Sequence, residues 1–175
     1  MADPKIETLL IPGTGPFPNN DALPLILMRQ VFDPLAKNLA GTIEETFQGN
    51  AWGISWRNGI FTVHHYHSTA HEVLGLYAGR VEVRFGGPNG PAVSAQAGDV
   101  IIIPAGVSHK NLDQSSNFRC VGAYPAGQSP DMQYGKPGER PKTDQNIRSV
   151  ALPTADPVFG KSGPLLEIWS PAVKS

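Results

Sequence analysis

The sequence predicts a mainly β fold that carries one helix near its N-terminus. Two observations lead to this prediction. The 175 residues include 19 glycines and 17 prolines, a composition that suits many short strands joined by turns. From Trp56 onward, short apolar runs alternate with turn signals, of which residues 86–90 are the clearest. The length fits one domain, which we expect to span residues 1–175.

The N-terminal part is predicted to contain a strand followed by the helix. Residues 25–32 are apolar enough to form a strand. Asp33 is a suitable N-cap and Pro34 suits the first helical position, while the helix can end at residues 49–50. Apolar residues recur at every fourth position, at Leu35, Leu39, Ile43 and Phe47. With one apolar stripe, this helix is expected to pack on the outside of the sheets.

The rest of the chain is predicted to consist mainly of strands, at residues 59–67, 72–77, 80–85, 92–95, 100–103 and 118–124. The strand at 100–103 is apolar on both faces, so we expect the core on one side and a helix or a partner subunit on the other. Residues 165–169 are predicted to form a final strand. The polar residues 128–146 are interpreted as a surface loop, with a lid over the site as the alternative.

Composition limits the classes of function. A formal net charge of −1 provides no basic field for nucleic acid or an anionic membrane, so neither is expected as a partner. No apolar run approaches the ~18 residues of a membrane span, and the N-terminus does not resemble a signal peptide. The single cysteine, Cys120, cannot form an intramolecular disulfide and is interpreted as a buried, inert thiol. We therefore expect a cytoplasmic protein.

Four side chains of metal-ligand type are the strongest functional signal. They are His65, His67 and Glu72, with His109 further downstream. Because side chains two apart on a strand share a face, His65 and His67 are expected to project together, ~7 Å apart along the strand. Glu72 starts the next predicted strand, and only a closed sheet can bring His109 to it. Three imidazoles and one carboxylate suit one divalent transition metal ion, and burying them together without an ion would be costly.

The spacing does not determine which ion binds. Mn(II), Fe(II), Ni(II), Co(II) and Zn(II) all accept such ligands with coordination positions left open. Two further histidines, His64 and His71, are expected to point away by strand parity and not to be ligands. His71 is kept as a candidate for orienting a ligand or moving a proton.

The candidate ligands lie in two blocks that resemble the two cupin motifs. The first block fits G(X)5HXH(X)4E(X)6G over residues 59–79, and the second fits G(X)5PXGXXH over residues 98–109. Flanking segments, such as residues 122–125, resemble the YjlB-like group of single-domain cupins, a group with no established activity. The resemblance implies a double-stranded antiparallel β-helix, or jelly roll, at about residues 52–125, with both terminal extensions packed on it. It also implies that the metal lies inside one end of this barrel.

Cupins include both enzymes and binding modules, so the resemblance alone does not choose the function. The preferred hypothesis is a metal-dependent enzyme, such as a dioxygenase, isomerase or hydrolase, acting on a small polar metabolite that chelates the ion. No separate general base is identifiable. The alternative is a non-catalytic module that binds a small molecule through the metal. A homodimer is expected, because the strand at residues 25–32 can extend a neighbour's sheet and small cupins are commonly dimers.

Overall fold

The computed structural model describes residues 3–174, which form two antiparallel sheets and three helices. The strands are β1 (Lys5–Ile11), β2 (Asn20–Arg29), β3 (Trp52–Asn58), β4 (Glu72–Ala78), β5 (Arg80–Phe85), β6 (Ala92–Gln96), β7 (Val100–Ile103), β8 (His109–Gln114) and β9 (Arg119–Pro125). The helices are α1 (Leu39–Gly49), α2 (Lys142–Ser149) and α3 (Pro164–Lys174).

The two sheets enclose an apolar core, in the arrangement that the cupin motifs implied. The larger sheet has the strand order β1-β2-β7-β4-β9-β3, and the smaller has the order β6-β5-β8. Leu74 and Ile101 of the larger sheet meet Val83 and Phe85 of the smaller in one cluster. None of these four side chains is more than 1% exposed. The prediction of a mainly β jelly roll is therefore confirmed.

Helices cover the outer face of the larger sheet. Val100 and Ile102 of β7 point to this side and join Ile43 and Phe47 of α1 in a second apolar cluster. Gly75 of β4 lets α1 approach, because a Cβ there would lie only 2.5 Å from Ile43 Cγ2 and 2.9 Å from Phe47 Cζ. Strand β7 is thus buried on both faces as predicted, and a helix provides the outer cover.

Helix α1 begins later than the sequence predicted. Asn38 is its N-cap, with a side chain that accepts a hydrogen bond from the Gly41 amide at 3.3 Å. The Asp33 carboxylate instead accepts from the Leu35 amide at 2.9 Å, two residues on, which closes a turn. Leu35 is consequently 88% exposed and does not belong to the apolar stripe. The predicted start at Asp33 was wrong because its side chain stabilises a turn and not a helix.

The prediction of a final strand at residues 165–169 was also wrong, because these residues lie in α3. Pro164 occupies the first turn, where its missing N–H is no loss. Asp156 accepts a hydrogen bond from the Leu165 amide at 3.0 Å, which satisfies one of the free donors at this end. Leu165 and Trp169, four residues apart, are each 1% exposed, so one face of the helix is buried.

The segment before Glu72 is less regular than predicted. Residues 59–67 do not form a strand; His65 and Tyr66 make isolated bridges to His109 and Gln133. The regular strand here is β3, which ends at Asn58 and pairs with β9. Strands β1, β3 and β8 are not among the predicted strands. The backbone is nevertheless extended at these bridges, so the side chains of His65 and His67 project to the same side.

Both edges of β2 are occupied within the chain. It pairs antiparallel with β1 on one side and with β7 on the other. The strand predicted at residues 25–32 therefore has no free edge to offer a neighbour, so the first of the two reasons given for a homodimer was wrong. The dimer itself stays a prediction.

Two expectations from composition concern the Cys120 thiol and membrane-spanning segments. Cys120 is completely buried and free, and burial raises the pKa of its thiol, as expected of an inert residue. Within residues 3–174, none of the helices combines the length and hydropathy that crossing a membrane requires.

Candidate metal centre

The four predicted ligand side chains meet at one end of the barrel. Glu72 is the first residue of β4, His109 is the first of β8, and His65 and His67 lie on the segment between β3 and β4. Backbone hydrogen bonds of 2.9 and 3.2 Å join His65 to His109. One ring nitrogen from each of the three histidines lies within 4.8 Å of the others. The four side chains are between 2% and 7% exposed.

Backbone carbonyls fix the orientation of all three imidazoles. The Nδ1 atoms of His65, His67 and His109 lie 2.9, 2.6 and 3.1 Å from the carbonyl oxygens of Val63, Asp131 and Val107. A carbonyl oxygen only accepts hydrogen bonds, so each Nδ1 carries the proton. Each Nε2 therefore has a free lone pair, which is the form of imidazole that binds a metal.

Glu72 adds a fourth acceptor to this cluster. Its Oε2 lies 2.9 Å from His67 Nε2 and 3.5 Å from His109 Nε2. Among the described residues no donor makes a hydrogen bond to this buried oxygen. An acceptor oxygen facing acceptor nitrogens at such distances is repulsive unless a cation or a proton lies between them. The donor set and its geometry therefore fit a divalent metal ion.

Burial and mutual proximity shift the pKa values of these groups. Burial, followed by the neighbouring His109, lowers the pKa of His65 to about 3. Burial would also lower the pKa of His67, but the Glu72 carboxylate outweighs it and raises that pKa. Burial alone would raise the pKa of Glu72, yet His67 and His109 hold it below the usual range. Without an ion, the cluster therefore holds a negative charge on Glu72, next to a His67 imidazole that is readily protonated.

Residues 128–146 lie against the histidine segment. Besides holding His67 through its carbonyl, Asp131 accepts hydrogen bonds from the Ser68 amide at 2.6 Å and from the Ser68 hydroxyl. Thr69 donates its hydroxyl to the Ser129 carbonyl at 2.7 Å, and Tyr66 pairs with Gln133 through the backbone. No spacing signal in the sequence links Asp131 to His67. Its role depends on a fold in which residues far apart in sequence run side by side.

The other two histidines point away from the cluster, as strand parity predicted. The His71 ring packs 4.8 Å from the Trp169 ring, and its Nδ1 accepts a hydrogen bond from the Ala105 amide at 2.9 Å. Burial lowers the pKa of His71 to about 4. His64 packs 5.7 Å from the ring of Phe17. Neither histidine makes one of the contacts that orient the cluster.

A cavity of about 260 Å³ opens beside the four candidate ligands. Its other walls include Trp56, Phe61, Leu74, Tyr124 and Met132. Sequence reasoning missed the aromatic residues and the methionine as pocket residues. Strand parity would have placed Tyr124 on the same face as Cys120, but only knowledge of the closed barrel shows that this face lines the site.

Comparison with known proteins finds a relative that covers nearly the whole chain. No protein-family model matches the chain. The chain is similar to the uncharacterized protein YjlB of Bacillus subtilis (strain 168), with 40% identity over 165 residues, covering 94% of this chain and 97% of that protein.

Two of the solved structures that are similar to the chain share little sequence identity with it. Acireductone dioxygenase from Bacillus anthracis, with a cadmium ion in its active centre, is 13% identical with a TM-score of 0.45, covering 61% of this chain and 82% of that one. RmlC from Streptococcus suis, in complex with dTDP-D-xylose, is 13% identical with a TM-score of 0.37, covering 85% of this chain and 90% of that one. Through its near full-length match to the Bacillus subtilis protein, the chain belongs to the same family as YjlB.

Proposed function

We propose that the protein binds one divalent transition metal ion through His65, His67, Glu72 and His109, and that it is a metal-dependent enzyme. The observation that carries the proposal is the meeting of Glu72 Oε2 with the Nε2 atoms of His67 and His109 at 2.9 and 3.5 Å. These acceptors are buried and border a cavity large enough for a small molecule.

The proposed ligands leave one or two coordination positions open on a five- or six-coordinate ion. A divalent ion with open positions polarises oxygen atoms of a bound substrate and supports dioxygenase, isomerase or related chemistry. The protein's own contribution is positioning. Backbone carbonyls hold the three imidazoles, Glu72 supplies the negative charge, and the apolar wall around Phe61 and Leu74 limits the entry of water. The substrate in this proposal is a small polar metabolite.

One observation favours the alternative, a non-catalytic module that binds a small molecule through the metal. Apart from the proposed ligands, the titratable residues within 3–174 that line the cavity are Arg57 and Tyr124. Arg57 is held by two hydrogen bonds of 2.7 Å to Glu44, and burial raises the pKa of Tyr124. Neither group is an acid or base matched to neutral pH, as general acid–base catalysis prefers.

The metal content of the purified protein tests the ligand assignment. We expect close to one divalent ion per chain by elemental analysis, and almost none after His65→Ala combined with His67→Ala, because two of four donors are then lost. His64→Ala is the matched control, since His64 lies next to His65 but packs against Phe17, and it should retain the ion. Full metal retention in the double variant would refute the proposed ligands.

Measurements of turnover distinguish the metal-dependent enzyme from the non-catalytic binding module. The Fe(II)- and Mn(II)-loaded forms should be screened against small carbonyl acids, thiols and sugars while oxygen uptake is recorded. Turnover that disappears in Glu72→Ala supports the enzyme. Tight binding without any turnover supports the module.

A further inference from the structure

Trp56 and Tyr124 meet at the wall of the cavity in a hydrogen bond whose direction is fixed. The indole Nε1 lies 2.9 Å from the Tyr124 hydroxyl oxygen. An indole N–H can only donate, so the Tyr124 oxygen is the acceptor and its own proton must point elsewhere. Among the described residues, no acceptor receives that proton in a hydrogen bond. The Tyr124 ring stands perpendicular to the His67 ring at 6.0 Å, and both residues line the cavity.

The backbone is shaped to hold Trp56 in this position. The register between β3 and β9 shifts between Gly53 and Trp56, which marks a bulge. Within it Ile54 has a φ of 54°, a conformation that β-branched residues rarely adopt, although its side chain is 67% exposed. Bulges of this kind redirect the side chains that follow them. The strained conformation of Ile54 is therefore part of the bulge that positions Trp56.

A glycine on the neighbouring strand completes the seat of the indole. Trp56 pairs with Gly122 of β9. A Cβ at Gly122 would collide with the indole ring, so any other residue there would push Trp56 away. Gly122 is two residues before Tyr124, the acceptor of the indole N–H. The bulge, the glycine and the hydrogen bond are three separate features that together place the Trp56 indole against Tyr124.

The charge of the cavity limits what can bind there. A divalent ion held by three neutral imidazoles and one carboxylate keeps a net positive charge of about one unit. Arg57 adds no free cation, because its guanidinium is paired with the Glu44 carboxylate at 2.7 Å. The walls at Phe61, Leu74 and Met132 are apolar. The cavity therefore suits a single compact anion.

We infer that Trp56 and Tyr124 form a recognition pair, in which the indole N–H directs the Tyr124 hydroxyl proton toward a small monoanion on the metal. This inference rests on the proposed metal centre and adds the chemistry of its ligand. The ligand offers one oxygen to the ion and a second oxygen to Tyr124, as a carboxylate does. Its remaining atoms lie against the apolar wall.

The test compares two small probes on the Co(II)-loaded protein, with binding followed by the visible absorption of the ion. Acetate can place one oxygen on the metal and the other on Tyr124. Imidazole binds the metal through one nitrogen and then offers no acceptor. In Tyr124→Phe we expect the metal content to be unchanged and acetate affinity to fall on the order of tenfold, as for one lost hydrogen bond to a charged group. Imidazole affinity should not change.

Trp56→Phe tests the pairing itself, because it keeps an aromatic ring at this position but removes the indole N–H. Acetate affinity should fall by about threefold, a fraction of the loss expected when the hydroxyl itself is removed. In the Tyr124→Phe background the same substitution should have no further effect, because the hydroxyl that it orients is absent.

The possible failures are distinct. Wild-type protein without metal would overturn the metal centre and, with it, the recognition pair. A metal-loaded Tyr124→Phe variant that binds acetate as tightly as wild type would overturn the recognition pair alone. Equal losses for acetate and imidazole would also overturn it, because the hydroxyl would then only support the structure of the site.

Discussion

The residues around the proposed metal centre act mainly through the groups that they hold in place. Glu139 is an example at some distance from the ligands. Its carboxylate accepts hydrogen bonds from the Tyr66 hydroxyl at 2.9 Å and from the Tyr134 and Gly135 amides at 3.0 and 2.8 Å. It thus ties residues 128–146 to the histidine segment by a route separate from Asp131.

Glu139 should make the order of this segment dependent on pH. Burial alone would raise the pKa of Glu139, but hydrogen bonds, first from the Tyr134 amide, outweigh it and hold the pKa below 4.5. A pKa lowered by folding means that the stabilisation is present above 4.5 and is lost as the pH falls through the lower, folded-state value. Amide protection of Tyr134 and Gly135 against hydrogen exchange should therefore fall in acid.

The matched variant is Glu139→Gln, which should show weak protection of these two amides already at neutral pH and little further loss in acid. Glu45→Gln, on the exposed side of α1, is the control and should behave as wild type. Unchanged protection in Glu139→Gln would contradict the role assigned to the carboxylate.

At the residue scale, the sequence predicted the positions that follow from local spacing. His65, His67 and Glu72 lie within a short stretch, and strand parity was enough to separate them from His64 and His71. His109 required the cupin motif. Tyr124 and Asp131 could not be predicted, because their contacts with Trp56 and His67 depend on which distant segments become neighbours.

At the scale of elements, α3 shows how an apolar run can be misread. Residues 165–169 are too few to distinguish the two-residue period of a strand from the helical period. The deciding features were Pro164 at the start and the four-residue interval between Leu165 and Trp169. Trp169 is 1% exposed, and its indole N–H donates to the Pro24 carbonyl at 2.9 Å, so the helix is fastened to β2.

Trp169→Ala should be strongly destabilising, because it removes a large buried side chain and the donor to Pro24. We expect the free energy of unfolding to fall by about 3–5 kcal/mol in urea denaturation, as for other buried tryptophans. Glu167→Ala, on the exposed face of the same helix, should change it by less than about 0.5 kcal/mol. Similar effects of the two substitutions would contradict the packing of α3 on the sheet.

At the scale of the whole molecule, the proposed ligands connect the two sheets. Glu72 belongs to β4 in the larger sheet and His109 to β8 in the smaller. An ion held by both would join the sheets at the open end of the barrel. The sequence predicted the barrel through its motifs and the outer position of α1 through its apolar stripe, whereas it did not predict that the C-terminal cover, α3, is a helix.

Metal binding should therefore stabilise the folded chain. A ligand that binds only the folded state at 100 times its dissociation constant adds about 2.7 kcal/mol to the free energy of unfolding. Thermal unfolding of the wild type and of His64→Ala should shift upward with free metal concentration. The variant with both His65→Ala and His67→Ala should show no such shift, and a shift equal to that of the wild type would contradict the proposed centre.

The strand order of the larger sheet also affects when the centre can form during folding. Strand β7 pairs Ile102 with Ile26 on one side and with Val73 on the other, so its neighbours come from distant parts of the sequence. Pairings of this kind form slowly, because a long loop must close before any contact is gained. Glu72 lies at the end of the strand next to β7, and its position depends on those pairings. We therefore expect the histidines and the carboxylate to converge late in folding, so that an ion would meet a centre that the polypeptide has already assembled.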